Sequence, residues 1–221
     1  TKEKHKFGTV FRSSPDIVQL AFNILSSGVT LFTNFENPLD YSSFNFTKED
    51  ERKCERPLYK LCSDDEKTIE EAFIWADTYC KEKNCLKSNV LIITTTDFLL
   101  KQAESYAKSS HKAFEVLKSR SDSKTIRMAF EGNKYILGGI DYLGGLEFEA
   151  VVIIGVDEGR VPPSKSINGD ASHFMNYAWY NRMYVAVTRA KYAILLLGVQ
   201  GRGRSSLLES SIYNEVINFE E

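Results

Sequence analysis

The sequence predicts an α/β domain of three layers, in which helices cover both faces of a largely parallel sheet. Two observations predict this class. Candidate strands and amphipathic helices alternate along most of the chain. The strands are also continuous apolar runs rather than alternations of apolar and polar residues, as at 89–93 and 150–156. Such runs are typical of parallel strands buried on both faces.

Composition narrows the class of protein further. The chain has 221 residues, of which 43% are hydrophobic, enough for a substantial core. Its formal net charge of -2 argues against a module that holds nucleic acid through bulk positive charge. We find no run of about 18 apolar residues and no secretory leader, so a cytoplasmic protein is expected. The first residue is Thr1 rather than Met, which suggests a piece of a longer chain.

The first third of the chain begins with a candidate strand at 6–11. Ser14 is a potential N-cap and Pro15 suits a first helical turn, so a helix is expected from there to Gly28. A short strand is predicted at 29–32. The polar stretch 34–55 is predicted to be a loop.

The remaining elements follow from periodicity and capping signals. A helix is expected to begin at 63–66, another is capped by Thr96 or Asp97, and two more cover 125–130 and 173–187. A last helical face is predicted within 207–219, and a loop rich in Gly and Pro at 157–171. Strands are predicted at 57–62, 89–93, 113–117, 134–140, 150–156 and 192–199.

Three segments at the ends of strands carry polar side chains suited to a ligand. Arg12 follows the first strand, Glu147 lies in a turn after Gly144 and Gly145, and Arg189 joins a helix to a strand. A guanidinium suits a phosphoryl group, and a carboxylate can accept hydrogen bonds from ribose hydroxyls. Each residue also has a structural interpretation. Arg12 would form an ion pair with Asp16, Glu147 would lie in a solvated turn, and Arg189 would satisfy the last carbonyls of a helix.

These segments resemble motifs of superfamily 1 DNA helicases of the UvrD/Rep/PcrA type. Phe11-Arg12-Ser13-Ser14-Pro15-Asp16-Ile17 is similar to motif IV, Gly145-Leu146-Glu147-Phe148 with the strand after it to motif V, and residues 184–191 to motif VI. The resemblance covers roughly residues 7–219. Motif VI is its most specific part, as Val185-Ala186-Val187-Thr188-Arg189-Ala190-Lys191.

The resemblance implies a fold, a partner domain and residue roles. Residues 1–221 would form the second RecA-like domain, related to P-loop NTPases, without the large accessory insertion of bigger relatives. Arg12 and Arg189 would contact the γ-phosphate of ATP held by an N-terminal RecA-like motor domain of the same protein. Glu147 would bind the ribose, and Gly145 would permit close approach. The Mg²⁺ ligands are expected in the N-terminal domain, because this chain has no phosphate-loop motif.

Two departures from the family pattern leave an alternative open. At motif V, Gly139, Asp141, Tyr142 and Gly144 replace polar residues that relatives use against single-stranded DNA, and residues 178–181 differ from the usual approach to motif VI. The main hypothesis is the C-terminal domain of an ATP-dependent DNA helicase or translocase, with single-stranded DNA as a partner. The alternative is a non-catalytic module that senses nucleotide or binds protein.

A third hypothesis, a zinc-bearing interaction domain, is suggested by the clustering of all four cysteines. Their spacing is unfavourable for zinc, because no Cys-x-x-Cys pair occurs and Cys80 lies on the apolar face of a predicted helix. The cysteines are Cys54, Cys62, Cys80 and Cys85.

Overall fold

The computed structural model describes residues 13–28, 48–120, 122–163 and 170–221. These residues contain seven α-helices and seven strands, which largely alternate along the chain. The helices are α1 (Pro15–Gly28), α2 (Lys48–Lys53), α3 (Asp65–Glu82), α4 (Asp97–Ser109), α5 (Ser123–Gly132), α6 (Asp170–Val187) and α7 (Glu209–Tyr213). The strands are β1 (Leu58–Cys62), β2 (Val90–Thr94), β3 (Phe114–Val116), β4 (Tyr135–Gly139), β5 (Phe148–Ile154), β6 (Ala190–Val199) and β7 (Asn218–Glu220).

The strands form one sheet in the order β3-β4-β2-β5-β6-β1-β7. Every pairing within it is parallel. The sheet therefore confirms the predicted α/β class, in a form consistent with a RecA-like domain. Because all strands run the same way, their first residues share one edge, called here the amino edge, and their last residues share the opposite edge.

Two hydrophobic cores lie on the two faces of the sheet. One contains side chains of α1 and α6, and the other contains side chains of α3 and α4. Alternate residues of β5 divide between them, with Val151 and Ile153 in the first core and Val152 and Ile154 in the second. This division explains why the central strands are continuous apolar runs, since both faces are covered.

The predicted helix starts are largely confirmed. Asp64 caps α3 by accepting a hydrogen bond from the Lys67 amide, and Thr96 caps α4 by accepting one from the Leu99 amide. Helix α1 begins at Pro15 as predicted, but the Ser14 hydroxyl has no hydrogen-bond partner among the described residues. Ser14 is instead buried against the sheet, where its backbone amide donates to the Lys191 carbonyl at 2.7 Å.

Two predictions differ from the structure, and two lie outside the described residues. The predicted helical face within 207–219 is wrong in its second half, because α7 ends at Tyr213 and Phe219 belongs to β7, which pairs with β1. The predicted loop 34–55 contains helix α2 at its end. The strands predicted at 6–11 and 29–32 lie outside the described residues. Over the described ranges, no helix is long and apolar enough to cross a membrane.

Tyr59 joins β1 to two later segments through its hydroxyl. The side chain is fully buried, donates to the Val156 carbonyl at 2.8 Å and accepts from the Ser205 amide at 3.2 Å. Tyr59→Phe should therefore leave a carbonyl and an amide buried without this partner. We expect a loss of about 1 to 3 kcal/mol in the free energy of unfolding, measured by urea denaturation.

The matched control for this prediction is Tyr213→Phe, because the Tyr213 side chain is 88% exposed. That variant should unfold at the wild-type urea concentration. Equal midpoints for the two variants would contradict a structural role for the Tyr59 hydroxyl.

Candidate functional site

The segments that carry Glu147 and Arg189 meet at the amino edge of the sheet. Glu147 directly precedes β5 and Arg189 directly precedes β6, and these two strands are neighbours. The Phe148 amide donates to the Arg189 carbonyl at 2.9 Å, which joins the two segments at the start of the strands. Two residues 42 positions apart in sequence are thus brought side by side.

Arg189 is half-buried, and its guanidinium points to the segment before β5. Its Nη1 lies 3.4 Å from the Leu146 carbonyl oxygen, so the side chain is next to the residue that precedes Glu147. The turn that holds it is closed by the Thr188 amide, which donates to the Tyr184 carbonyl, and by the Thr188 hydroxyl, which donates to the Val185 carbonyl. The guanidinium therefore reaches across to a second segment from a fixed helix end.

Glu147 forms an ion pair with a residue of the motif VI segment. Its Oε2 lies 3.5 Å from Nζ of Lys191, and the two side chains are 25% and 38% exposed. The nearby Gly145 faces open space, since a Cβ added there would meet no atom within 4 Å. Packing within the domain does not demand a glycine at this position, so the open space is compatible with the approach of a ligand.

Lys191 lies at a bulge-like register shift between β5 and β6 that sequence analysis did not predict. Phe148 pairs with Ala190 and Ala150 with Ala193, so β6 contains one more residue than β5 between these pairs. Lys191 and Tyr192 consequently both lie half-buried between the buried Ala190 and Ala193. Bulges are frequent next to functional sites, where they redirect side chains. No signal in the sequence identifies an extra residue within an apolar strand.

The third predicted site residue, Arg12, lies outside the described residues. Its neighbour Ser13 is described and buried, and the Ser13 hydroxyl donates to the Ala190 carbonyl at 2.7 Å. The described part of the motif IV segment therefore begins in contact with the residue that follows Arg189.

The unusual motif V residues make contacts within the domain. Asp141 forms an ion pair with Arg182 of α6, with 3.0 Å between Oδ1 and Nε, and Tyr142 packs against the first core. The Arg182 guanidinium lies 5.0 Å from the ring centroid of Trp179, and Nε of Arg120 donates to the Asp141 carbonyl. These contacts connect the segment before β5 to the helix that ends beside Arg189.

Within the residues that the structure describes, no group of three or more His, Cys, Asp or Glu side chains could hold a metal ion. The four cysteines are free thiols. Burial of the Cys54 thiol, with the nearby Asp50 carboxylate, raises its pKa to about 11, so the thiol is protonated at neutral pH.

Comparison with known proteins gives a match in structure alone. No protein-family model matches the sequence, and no curated protein matches it. The C-terminal domain of a possible DNA helicase from Lactobacillus plantarum WCFS1 has a TM-score of 0.63 at 13% identity, over 96% of this chain and 100% of that chain.

Two further solved structures match at lower similarity. The C-terminal domain of the DEAD-box protein Dbp5 covers 76% of this chain and 89% of its own, with a TM-score of 0.44 and 12% identity. Xpd4 from S. tokodaii has the same score and identity over 84% of this chain and 41% of its own. At 13% identity, the match to the C-terminal domain of the possible DNA helicase shows a shared fold and nothing further.

Proposed function

We propose that the chain is the second motor domain of an ATP-dependent DNA helicase or translocase of the UvrD/Rep/PcrA type. The observation that carries the proposal is the meeting of Arg189 and Glu147 at the amino edge of the sheet. A guanidinium for the γ-phosphate and a carboxylate for the ribose would then lie at the same edge of the sheet, as a nucleotide held by a second domain requires.

The amino edge is not where an open α/β sheet usually binds its own ligand. Ligands of such sheets lie beyond the carboxyl ends of the strands. Glu147 and Arg189 instead precede their strands, so they suit a ligand presented by another domain. This agrees with an N-terminal RecA-like domain of the same protein that would hold ATP and supply the Mg²⁺ ligands.

In this mechanism, ATP favours closure of the two domains and hydrolysis releases it. Arg189 and Arg12 would stabilise the charge on the transferred phosphoryl group, and Glu147 would hold the sugar. Repeated closure and opening would move single-stranded DNA between the domains.

The experiment that tests the proposal uses the full-length protein. ATP hydrolysis should be measurable with Mg²⁺, and single-stranded DNA should stimulate it. A protein that hydrolyses no ATP, or whose hydrolysis and binding do not respond to DNA, would contradict the helicase proposal. The gene sequence upstream of Thr1 should also encode a phosphate loop.

The second candidate function is a nucleotide-sensing or protein-interaction module without catalysis. The Asp141–Arg182 ion pair favours it, because the motif V position that relatives use against DNA is here paired with α6. Nucleotide binding by the full-length protein without DNA-stimulated hydrolysis would support this alternative.

Glu147→Ala tests the role of the carboxylate separately from that of the arginines. We expect the KM for ATP to rise by about ten-fold and kcat to change much less, because a ribose contact is made equally in the ground and transition states. Steady-state kinetics on the full-length protein measure both constants. A fall in kcat at unchanged KM would assign Glu147 to the chemical step instead.

A further inference from the structure

We propose that Lys191 is a positioning residue that holds the Glu147 carboxylate in place for the sugar hydroxyls of the nucleotide. Lys191 would thereby determine the affinity for nucleotide and the preference for ribose over 2′-deoxyribose. The inference rests on the proposed function, since it requires a nucleotide at the amino edge of the sheet.

The geometry of the ion pair suits a positioning role. The distance of 3.5 Å between Nζ of Lys191 and Oε2 of Glu147 is longer than a charge-assisted hydrogen bond. A carboxylate offers about four lone-pair sites to donors. Lys191 can therefore attract and orient the carboxylate while hydroxyl groups of a sugar still reach its oxygens.

The backbone around Lys191 is held by two hydrogen bonds from the Ser13–Ser14 segment. Its carbonyl accepts from the Ser14 amide at 2.7 Å, and the preceding carbonyl, of Ala190, accepts from the Ser13 hydroxyl at 2.7 Å. Lys191 directly follows Ala190, which pairs with Phe148, so its side chain lies next to that of Glu147. The ammonium group thus extends from an anchored base, which lowers the entropic cost of holding it near the carboxylate.

Charge supplies a second reason for a lysine at this position. Glu147 alone would place a negative charge near a triphosphate, and like charges at a shared site repel. The ammonium group of Lys191 offsets that charge while Glu147 remains an acceptor. Methionine in its place keeps most of the aliphatic stem and removes the charge.

The test measures equilibrium binding as well as hydrolysis in the full-length protein. The dissociation constants of ATP and 2′-deoxy-ATP are measured in the absence of Mg²⁺, so that no hydrolysis takes place. Each nucleotide competes with a fluorescent ADP for the protein. For Lys191→Met we expect ATP to bind about five-fold more weakly, with a smaller loss for 2′-deoxy-ATP, so that the preference for ribose narrows. In hydrolysis, KM should rise while kcat stays within about two-fold of wild type.

Two further variants show that the effect depends on charge at this position. Lys191→Arg should restore most of the affinity and the ribose preference. Lys53→Met removes a comparable half-buried ion pair, to Glu149 at 3.0 Å, and should leave both dissociation constants unchanged. If Lys191 had only a structural role, Lys191→Met would weaken the binding of ATP and of 2′-deoxy-ATP equally and would lower the melting temperature.

The outcomes separate this inference from the function on which it rests. If Glu147→Ala removes the ribose preference and Lys191→Met leaves it intact, only the role of Lys191 is overturned. If the wild-type protein binds neither nucleotide, the proposed function is itself overturned, and this inference with it.

Discussion

Arg189→Ala should lower kcat for ATP hydrolysis in the full-length protein by about 10³-fold or more, while nucleotide affinity and melting temperature stay near wild type. The reason is that an arginine at the γ-phosphate acts mainly on charge that develops during phosphoryl transfer, and its loss typically costs about 10³ to 10⁵ in rate. The half-buried guanidinium beside Leu146 is held from a fixed helix end, so its truncation removes little core packing. Arg12→Ala should behave in the same way.

Two matched variants sharpen this measurement. Arg127→Ala removes an arginine that is 72% exposed and paired with Glu131 one helical turn away, and should leave kcat unchanged. Arg189→Lys keeps the charge but not the planar guanidinium with its paired donors, so most of the ATP hydrolysis rate should still be lost. If Arg189→Ala instead unfolded the domain and left the activity per folded molecule intact, Arg189 would be a structural helix-terminal arginine.

The fold could be predicted from the sequence because strands that are buried on both faces are continuous apolar runs. Strands β2 and β5 are covered on both faces, so their residues are apolar except Thr94 at the end of β2 and Glu149 near the start of β5. The meeting of Glu147 and Arg189 was also predictable once the sheet was known to be parallel. Each residue directly precedes a strand, and the starts of parallel strands share one edge.

Other features depend on contacts between segments far apart in the chain, which local patterns do not record. The apolar residues near the C-terminus fit a helix by spacing, yet Phe219 lies in β7 because pairing with β1 provides its hydrogen bonds. The extra residue of β6 beside Lys191 is a matter of register between β5 and β6. Asp157 gives no signal either, since the sequence predicts only a loop rich in Gly and Pro at this position.

The structure places Asp157 in a buried charged network at the end of β5. Its side chain has no exposed surface, and it accepts from the Val199 amide at 3.1 Å and from Nη1 of Arg160 at 3.2 Å. Arg160, 10% exposed, also binds Asp65 at the start of α3, at 2.7 Å. One arginine thus joins the loop after β5 to α3, in contact with a carboxylate that has no access to water.

Arg160→Met should therefore be strongly destabilising. It leaves the Asp157 carboxylate buried without its arginine, and breaking such a pair costs about 3 to 5 kcal/mol of unfolding free energy. Urea denaturation of the domain at neutral pH measures the loss. Arg202→Met is the matched control, because Nε of Arg202 lies 4.0 Å from the same carboxylate but its side chain is 48% exposed. That variant should lose less than about 1 kcal/mol.

The pH dependence of the Arg160→Met deficit distinguishes a buried charge from lost packing. Burial raises the pKa of Asp157 above its usual value of 3.8, and the charge of Arg160 partly offsets that rise. Removal of Arg160 should raise this pKa further. The folded variant then binds a proton that the unfolded chain has released, so its stability falls as pH rises from about 4 through the folded pKa. The deficit should be small near pH 4 and largest near pH 7, whereas a deficit constant across this range would mean that Arg160 contributes only packing.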